Sequence, residues 1–486
     1  MLQILISLFA VAGFGLGIWA TGLLGTSQRA LKDTMAGVSA MVDSDLDDDA
    51  KEIAVRRAGL GLIVSAFRIF LSFAVALTAA ALPIFAGDLL GIASRNDVFA
   101  LMLRLDYIVI VSVVAILIGE IIRRRKGRKT SDEAAQGQYS IGDQSVHIIA
   151  FSSPAVLKGA SWIEDRVIGS PTVSASDRPI FVTSLARGGT TAFLNAMHEL
   201  PQVATHLYRD MPFLTAPTLW NRLAGGAKRA VDRHERAHGD GLEIDLDTPE
   251  AFEEIIWKMY WPQKYHSGID LWRPEHDRMP KAENFLRHHI DKVVQARRSQ
   301  GRPEAQRYCS KNNANIGRIP FLRASFPEGK IIIVVRQPTS HAASLLRQHK
   351  NFLKLHAEDA FVQRYMRDIG HFEFGRLHKP ILFPGFVPDM YDAMSGDYWL
   401  NYWIKAFEHV LQFKTICSLV FQDDLRASPQ DTMRRICEGV DIDSKAEKFS
   451  GFFHDHPDRI VSEGFSPELL RDAEQIYAEL KSTTAI

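Results

Sequence analysis

Two kinds of hydrophobic pattern divide this chain. Residues 1–26 carry no charged side chain, and 2–24 are almost wholly apolar. A second apolar run covers 69–87 with Arg68 at its edge, and a weaker third covers 107–122, where Glu120 is the only acid. A bilayer core takes roughly 20 apolar residues in a helix, so the first two runs predict transmembrane helices. The third reaches that length if 101–106 begins its helix. A cleaved signal peptide is the alternative for the first run, but "MLQILISLF" lacks the basic start such a peptide needs. A buried helical hairpin is the alternative for the other two. From about residue 178 the pattern changes to short apolar bursts at 180–183, 202–205, 331–335 and 415–421. Amphipathic helical stretches fall between them, at 191–199, 249–260, 282–300, 340–353 and 398–414. Strands alternating with helices predict a parallel sheet covered on both faces.

Charge adds an orientation. Arg29, Lys32, Lys51, Arg56 and Arg57 lie between the first two runs, and "RRRKGRK" follows the third; the loop between the second and third has only Arg95 and Arg104. The positive-inside rule then places the N-terminus outside and everything after Lys129 in the cytoplasm, which in a bacterial cell means a multi-pass inner-membrane protein. "DSDLDDDAKE" (43–52) reads as a solvated acidic loop. The expected organisation is a membrane region at 1–128, a linker and lead-in at 129–177, and a cytoplasmic α/β domain at 178–486. With 57 basic and 57 acidic residues, the chain has no net charge to suggest a nucleic-acid partner. Three scattered cysteines, Cys309, Cys417 and Cys437, argue against a disulfide framework and for a reducing compartment.

The chemistry concentrates in two places. "FVTSLARGGTTAFLNAM" (181–197) runs from an apolar strand through Arg187-Gly188-Gly189-Thr190-Thr191 straight into a helical pattern. Backbone N–H groups and a helix dipole therefore meet at one point, as an anion requires. A nucleotide kinase or GTPase would place Lys after the glycines; here a cation, Arg187, precedes them. "GKIIIVVRQPTSHAASLLRQ" (329–348) ends a second strand at Arg336 and places Ser344 eight residues on, along a helix. Guanidinium and hydroxyl together make a phosphate clamp, though taken alone such an arginine more often satisfies a surface acid.

Together, strand–R-G-G-T-T–helix and strand–R-Q-P-(x5)-S–helix resemble the two nucleotide motifs of the sulfotransferases, which use 3′-phosphoadenosine 5′-phosphosulfate. "SKNNANIGRIPFLRASFP" (310–327) and "LVFQDDLRASPQDTMRRICEGVDI" (419–442) fit further elements of that family in order. The resemblance covers about 178–442 and implies a P-loop-like parallel sheet flanked by helices, here preceded by the transmembrane segment. It implies that Arg187, Gly188, Gly189, Thr190 and Thr191 hold the 5′-phosphosulfate. It assigns the 3′-phosphate to Arg336 and Ser344, and makes Lys311 a second cation near the leaving group, although "KNN" departs from the usual K-x-P. No metal is implied.

Family members often place an acidic general base about twenty residues after the loop cation; Asp210, twenty-three after Arg187, is the expected base, oriented by Arg209. His206 is the second candidate and His238 a third; a helix N-cap is the structural alternative for Asp210. "HERAH" (234–238) matches the H-E-x-x-H zinc-peptidase signature. Arg236 beside a metal and Gly239-Asp240-Gly241 after the second histidine weaken that reading. "HDHPD" (454–458) reads as a solvated turn. A membrane-anchored nucleotide-binding protein without catalysis is the third class. The acceptor is not legible; anchoring hints at a lipid or lipid-linked saccharide. Trp257, Tyr260, Trp261, Trp399 and Trp403 are candidates for its pocket, or core.

Overall fold

The computed structural model describes residues 2–23, 25–26, 48–104, 107, 111, 141–224, 234–235, 243–244, 246–444, 447–453 and 464–482. Most of the third apolar run, the basic cluster after it, His238 and the stretch 454–458 lie outside the described residues. The chain divides into two compact units, Met1–Ala134 and Ala135–Ile486.

In the first unit, α1 (Leu2–Ala20) packs along α2 (Asp48–Leu89). Small residues set the approach. A Cβ on Gly13 would lie 2.5 Å from the Ala79 carbonyl oxygen, and one on Gly17 would lie 2.6 Å from the Ala76 Cα. Close backbone contact of this kind is how helices pack without a hydrophobic drive between them. Phe9, Leu16, Trp19, Phe67, Phe70 and Leu82 face outward. Two helices here, Leu2–Ala20 and Val64–Leu89, are long and apolar enough to cross a membrane.

The second unit is built on five parallel strands: β1 (Ile180–Thr183), β2 (Val203–Ala204), β5 (Arg307–Lys311), β6 (Lys330–Val335) and β7 (Ser418–Phe421), in the order β2-β5-β1-β6-β7. A separate antiparallel pair joins β3 (His234–Glu235) to β4 (Glu243–Ile244). Period-2 alternation divides the sheet's side chains between two cores. Phe181, Tyr308, Ile331, Ile333, Val335, Leu419 and Phe421 belong to one. Ile180, Val182, Cys309, Ile332, Val334 and Val420 belong to the other.

Helices cover both faces. The second core receives α3 (Thr190–Glu199) through Phe193, Leu194 and Met197. On the first lie α4 (Glu254–Tyr260), α5 (Pro280–Ser299), α6 (Pro338–Glu358), α7 (Ala360–Ile369) and α8 (Gly396–Gln412). The stretch expected as a lead-in carries the helices Ile141–Ala150 and Pro154–Val167; the second is tied to α5 by Lys292, whose Nζ donates to the Ser161 carbonyl at 2.7 Å.

Four of the sheet's strands match the apolar bursts of the sequence. The fifth, β5, does not, because its residues Arg307, Ser310 and Lys311 are polar; all five of its residues are nonetheless buried. The chain runs from β1 to β2 and β5 on one side, then returns to place β6 on the other side of β1. The carboxyl end of β1 is thus a switch point, where open α/β sheets bind ligands.

Candidate active site

The loop after β1 is shaped for close approach. Gly189 caps α3 with φ 94°, and Arg187 takes a positive φ of 67°. A side chain on Gly188 would meet the Ser184 Oγ at 2.4 Å, and one on Gly189 would meet the Gln422 Nε2 at 2.6 Å. The loop therefore requires glycine at both positions, and it presents the first N–H groups of a ten-residue helix. Ser184 Oγ and Gln422 Oε1 are buried without a hydrogen-bond partner beside it. Thr190 is buried, and Thr191 is half-buried.

The second motif closes on the first. Pro338 is the first residue of α6, and Gln337 caps it, its Oε1 accepting from the Ser340 N–H at 2.8 Å. This places Ser344 on the helix with its Oγ 3.4 Å from the Arg187 Nε. Arg336 Nη1 donates to the Arg187 carbonyl at 3.1 Å, and the buried His341 bonds the Ala186 carbonyl through Nε2 at 2.8 Å. Arg187, Arg336 and Ser344 thus share one place, as the spacing of the two motifs requires.

On the other side of β1, Lys311 ends β5 and donates to the Thr191 Oγ1 at 2.9 Å. The same ammonium contacts the Glu250 Oε1 at 3.2 Å. Glu250 is buried; its Oε1 also accepts from the Ala251 N–H at 2.8 Å, and its Oε2 from the Tyr208 hydroxyl at 3.0 Å. The sequence reading passed over Glu250. Its signal, an acid opening "EAFEEIIW", is hidden because Glu253 and Glu254 look the same and serve the core instead. Glu253 accepts from Trp257 and Tyr308 at 2.9 Å each. Glu254 pairs with Arg318. Burial works most strongly against the Glu254 charge, but the Arg318 charge together with hydrogen bonds from Arg318, Tyr265 and Asn312 keeps the carboxyl below its ordinary range.

Asp210 sits elsewhere in purpose. It is fully buried on a short 3-10 turn after β2 and forms an ion pair with Arg297 of α5. Its Oδ1 accepts from Arg297 Nη2 at 2.5 Å and from Asn221 Nδ2 at 3.2 Å, while Oδ2 takes the Leu207 N–H at 2.9 Å and Arg297 again. A carboxylate offers about four lone-pair directions, and four contacts use them. Asp210, the expected base, is thus held in a buried ion pair, and Arg209 pairs with Asp247. His206 is also withdrawn from the loop: its Nε2 lies 2.8 Å from that of His289, inside the fold. His234 and Glu235 lie in an extended strand, not on the helical face that H-E-x-x-H requires.

Beside the loop lies a small cavity of about 40 Å³. Leu185 and Ala186 precede Arg187 in its wall, Ala251 follows Glu250, and Asn312 follows Lys311. Ile269, Leu345, Phe372, Ile381, Trp399 and Tyr402 make most of the rest apolar. Of the candidate aromatics, Trp399 alone lines it. Trp257 and Trp261 stack in the core near Arg318, Trp403 packs on Phe407, and Tyr260 packs on Phe285.

Several imidazoles here are held neutral. Burial pushes His206, His378 and His409 down to about 4 each. Their unfolded values lie near 6.5, so between these limits the unfolded chain binds more protons than the folded one. Stability from these groups is present above about pH 6.5 and is lost as pH falls toward 4. Thermal unfolding followed across this window should show a falling Tm. His409, with neither ring nitrogen bonded, gives the control: His409→Leu should flatten part of the slope.

Residues 179–376 match the family model of the sulfotransferase family. Over that segment the chain is similar to the sulfotransferase family. Among solved structures it is similar to the sulfotransferase STF9 of Mycobacterium avium, with 14% identity over 76% of this chain and 96% of that one, at a TM-score of 0.40. It is also similar to a sulfotransferase of Alicyclobacillus acidocaldarius, with 12% identity, 62% and 92% coverage and a TM-score of 0.29. No curated protein matches the chain.

Proposed function

We propose that this protein moves a sulfuryl group from 3′-phosphoadenosine 5′-phosphosulfate to a hydroxyl of an acceptor held at the cavity beside the loop. The observation that carries the reading is the meeting of Arg187, Arg336 and Ser344 at the start of α3. Two anion grips in one place suit a nucleotide with phosphate on both sides of its ribose. The tight glycine turn and the buried unpartnered Ser184 and Gln422 oxygens support a polar ligand there.

In this reading Gly188, Gly189, Thr190 and Thr191 hold the 5′ side, and Arg336 and Ser344 hold the 3′-phosphate. When bound, the donor supplies an activated S–O bond. Glu250 takes the proton of the acceptor hydroxyl as the acceptor oxygen bonds to sulfur and the bond from sulfur to the bridging phosphate oxygen breaks. Arg187 and Lys311 neutralise the charge that this oxygen gains, and adenosine 3′,5′-bisphosphate departs. Charge neutralisation and proximity then supply most of the rate.

The two apolar helices are read as membrane anchors of a multi-pass inner-membrane protein, and the basic loop residues place the transferase unit in the cytoplasm. A lipid or saccharide acceptor fits such an anchor.

The test is a thermal-shift comparison of adenosine 3′,5′-bisphosphate with AMP. The bisphosphate should stabilise more, and Arg336→Ala should abolish the difference while leaving the AMP response. Equal responses in the wild type would sink the nucleotide assignment. Sulfation with labelled donor separates an enzyme from a protein that only binds the nucleotide.

A further inference from the structure

A second cleft of about 370 Å³ shares Phe372, His378 and Lys379 with the first cavity. Its wall also holds Lys258, Arg367 and Arg376, and among the described residues no carboxylate lines it. Of its four cations, Arg367 pairs with Asp368 at 3.8 Å, whereas Lys258, Arg376 and Lys379 make no ion pair among the described residues, a gathering of positive charge that an anion would offset. Asp368 also bonds His147 through Oδ2 at 3.1 Å, and Glu254 pairs with Arg318.

Resting on the sulfotransferase reading above, we propose that the acceptor is an amphiphilic oxyanion. Its hydroxyl lies by Glu250, its apolar part runs along Phe372 between the two clefts, and its phosphate-type group sits among Lys258, Arg376 and Lys379.

The two lysines are pre-set for this. Lys379 Nζ donates to the Tyr265 carbonyl at 2.8 Å, and Lys258 Nζ to the Asp368 carbonyl at 3.1 Å. Their ammonium groups lie 5.3 and 5.0 Å from the centre of the Phe372 ring, which both cavities share. An ammonium has three N–H donors, so bonds to carbonyls fix each head while leaving capacity for an anion. Capping the last carbonyls of α7 accounts for Lys258 alone; it does not account for Arg376 and Lys379 in the same cleft. Burial lowers Lys258 to about 8 against the opposing pull of Asp368 and Glu254, and repulsion from Arg367 and Lys379 adds a smaller lowering. A bound anion relieves that repulsion.

The proposal is tested on the full chain in neutral detergent by thermal shift with hexyl phosphate, glucose 6-phosphate and hexanol. Hexyl phosphate should stabilise saturably and hexanol should not. Arg376→Ala, an exposed change, and separately Lys379→Gln should each weaken half-saturation by about tenfold. Both variants should keep the wild-type response to adenosine 3′,5′-bisphosphate. A response to hexyl phosphate alone supports a lipid-type oxyanion, and an equal response to glucose 6-phosphate supports a free phosphorylated sugar. No response to either phosphate, or full responses in both variants, overturns the anionic acceptor. Loss of the bisphosphate response in the wild type would instead overturn the nucleotide reading.

Discussion

Glu250→Gln is expected to lower kcat by about 10²–10⁴-fold, the range lost with a general base, and to leave the affinity for adenosine 3′,5′-bisphosphate unchanged. Glutamine keeps the shape of the side chain, and its carbonyl oxygen can still accept from Lys311 or Tyr208. What it loses is the capacity to take a proton. If Glu250 only balances the Lys311 charge, its removal should instead free that ammonium from Thr191 and weaken the nucleotide. The two roles separate in a kcat against Kd comparison and in the pH profile: a base gives the wild type an acidic limb that the variant lacks. Lys311→Ala should lower kcat and raise Kd, because its ammonium bridges the loop and the acid. Full turnover in Glu250→Gln would remove the acid from the reaction.

The glycine loop after β1 was legible in the sequence because its demands are local. A positive φ and a backbone approach select glycine at Gly189, and a helix must start at once, so residue types at fixed spacing report the geometry. Arg336 and Ser344 were legible for a similar reason, one strand end and two helical turns. The parallel sheet followed from its apolar strands, but β5 escaped because side chains that read as polar are satisfied by distant partners: Arg307 donates to the Arg178 and Val440 carbonyls. Spacing could not show the partner of Asp210: its distance from Arg187 fits a base, yet α5 brings Arg297 to it from 87 positions away. Glu250 is the converse case, placed at the loop only through a lysine from another strand. The cation cleft draws on α4, α7 and the segment around residue 376, and no window along the chain contains it.

The same ion pair yields the second large effect, on stability rather than chemistry. Asp210→Ala should cost about 3–5 kcal/mol, because it strands the guanidinium of Arg297 in the interior without its anion. The Tm should fall by on the order of 10 °C. Arg297 retains only its bond to the Gln300 Oε1, 2.5 Å from Nη1, and the turn after β2 loses the acceptor of the Leu207 N–H. Pairing Asp210→Asn with Arg297→Met should recover much of the loss, since removing both charges spares the interior an unpaired ion. Activity decides the remaining question. If Asp210 is a tether, sulfation by the double variant should return with stability, measured below its Tm. If Asp210→Asn keeps the wild-type Tm yet loses turnover, the carboxylate belongs to the chemistry, and Glu250 must give up the role of base.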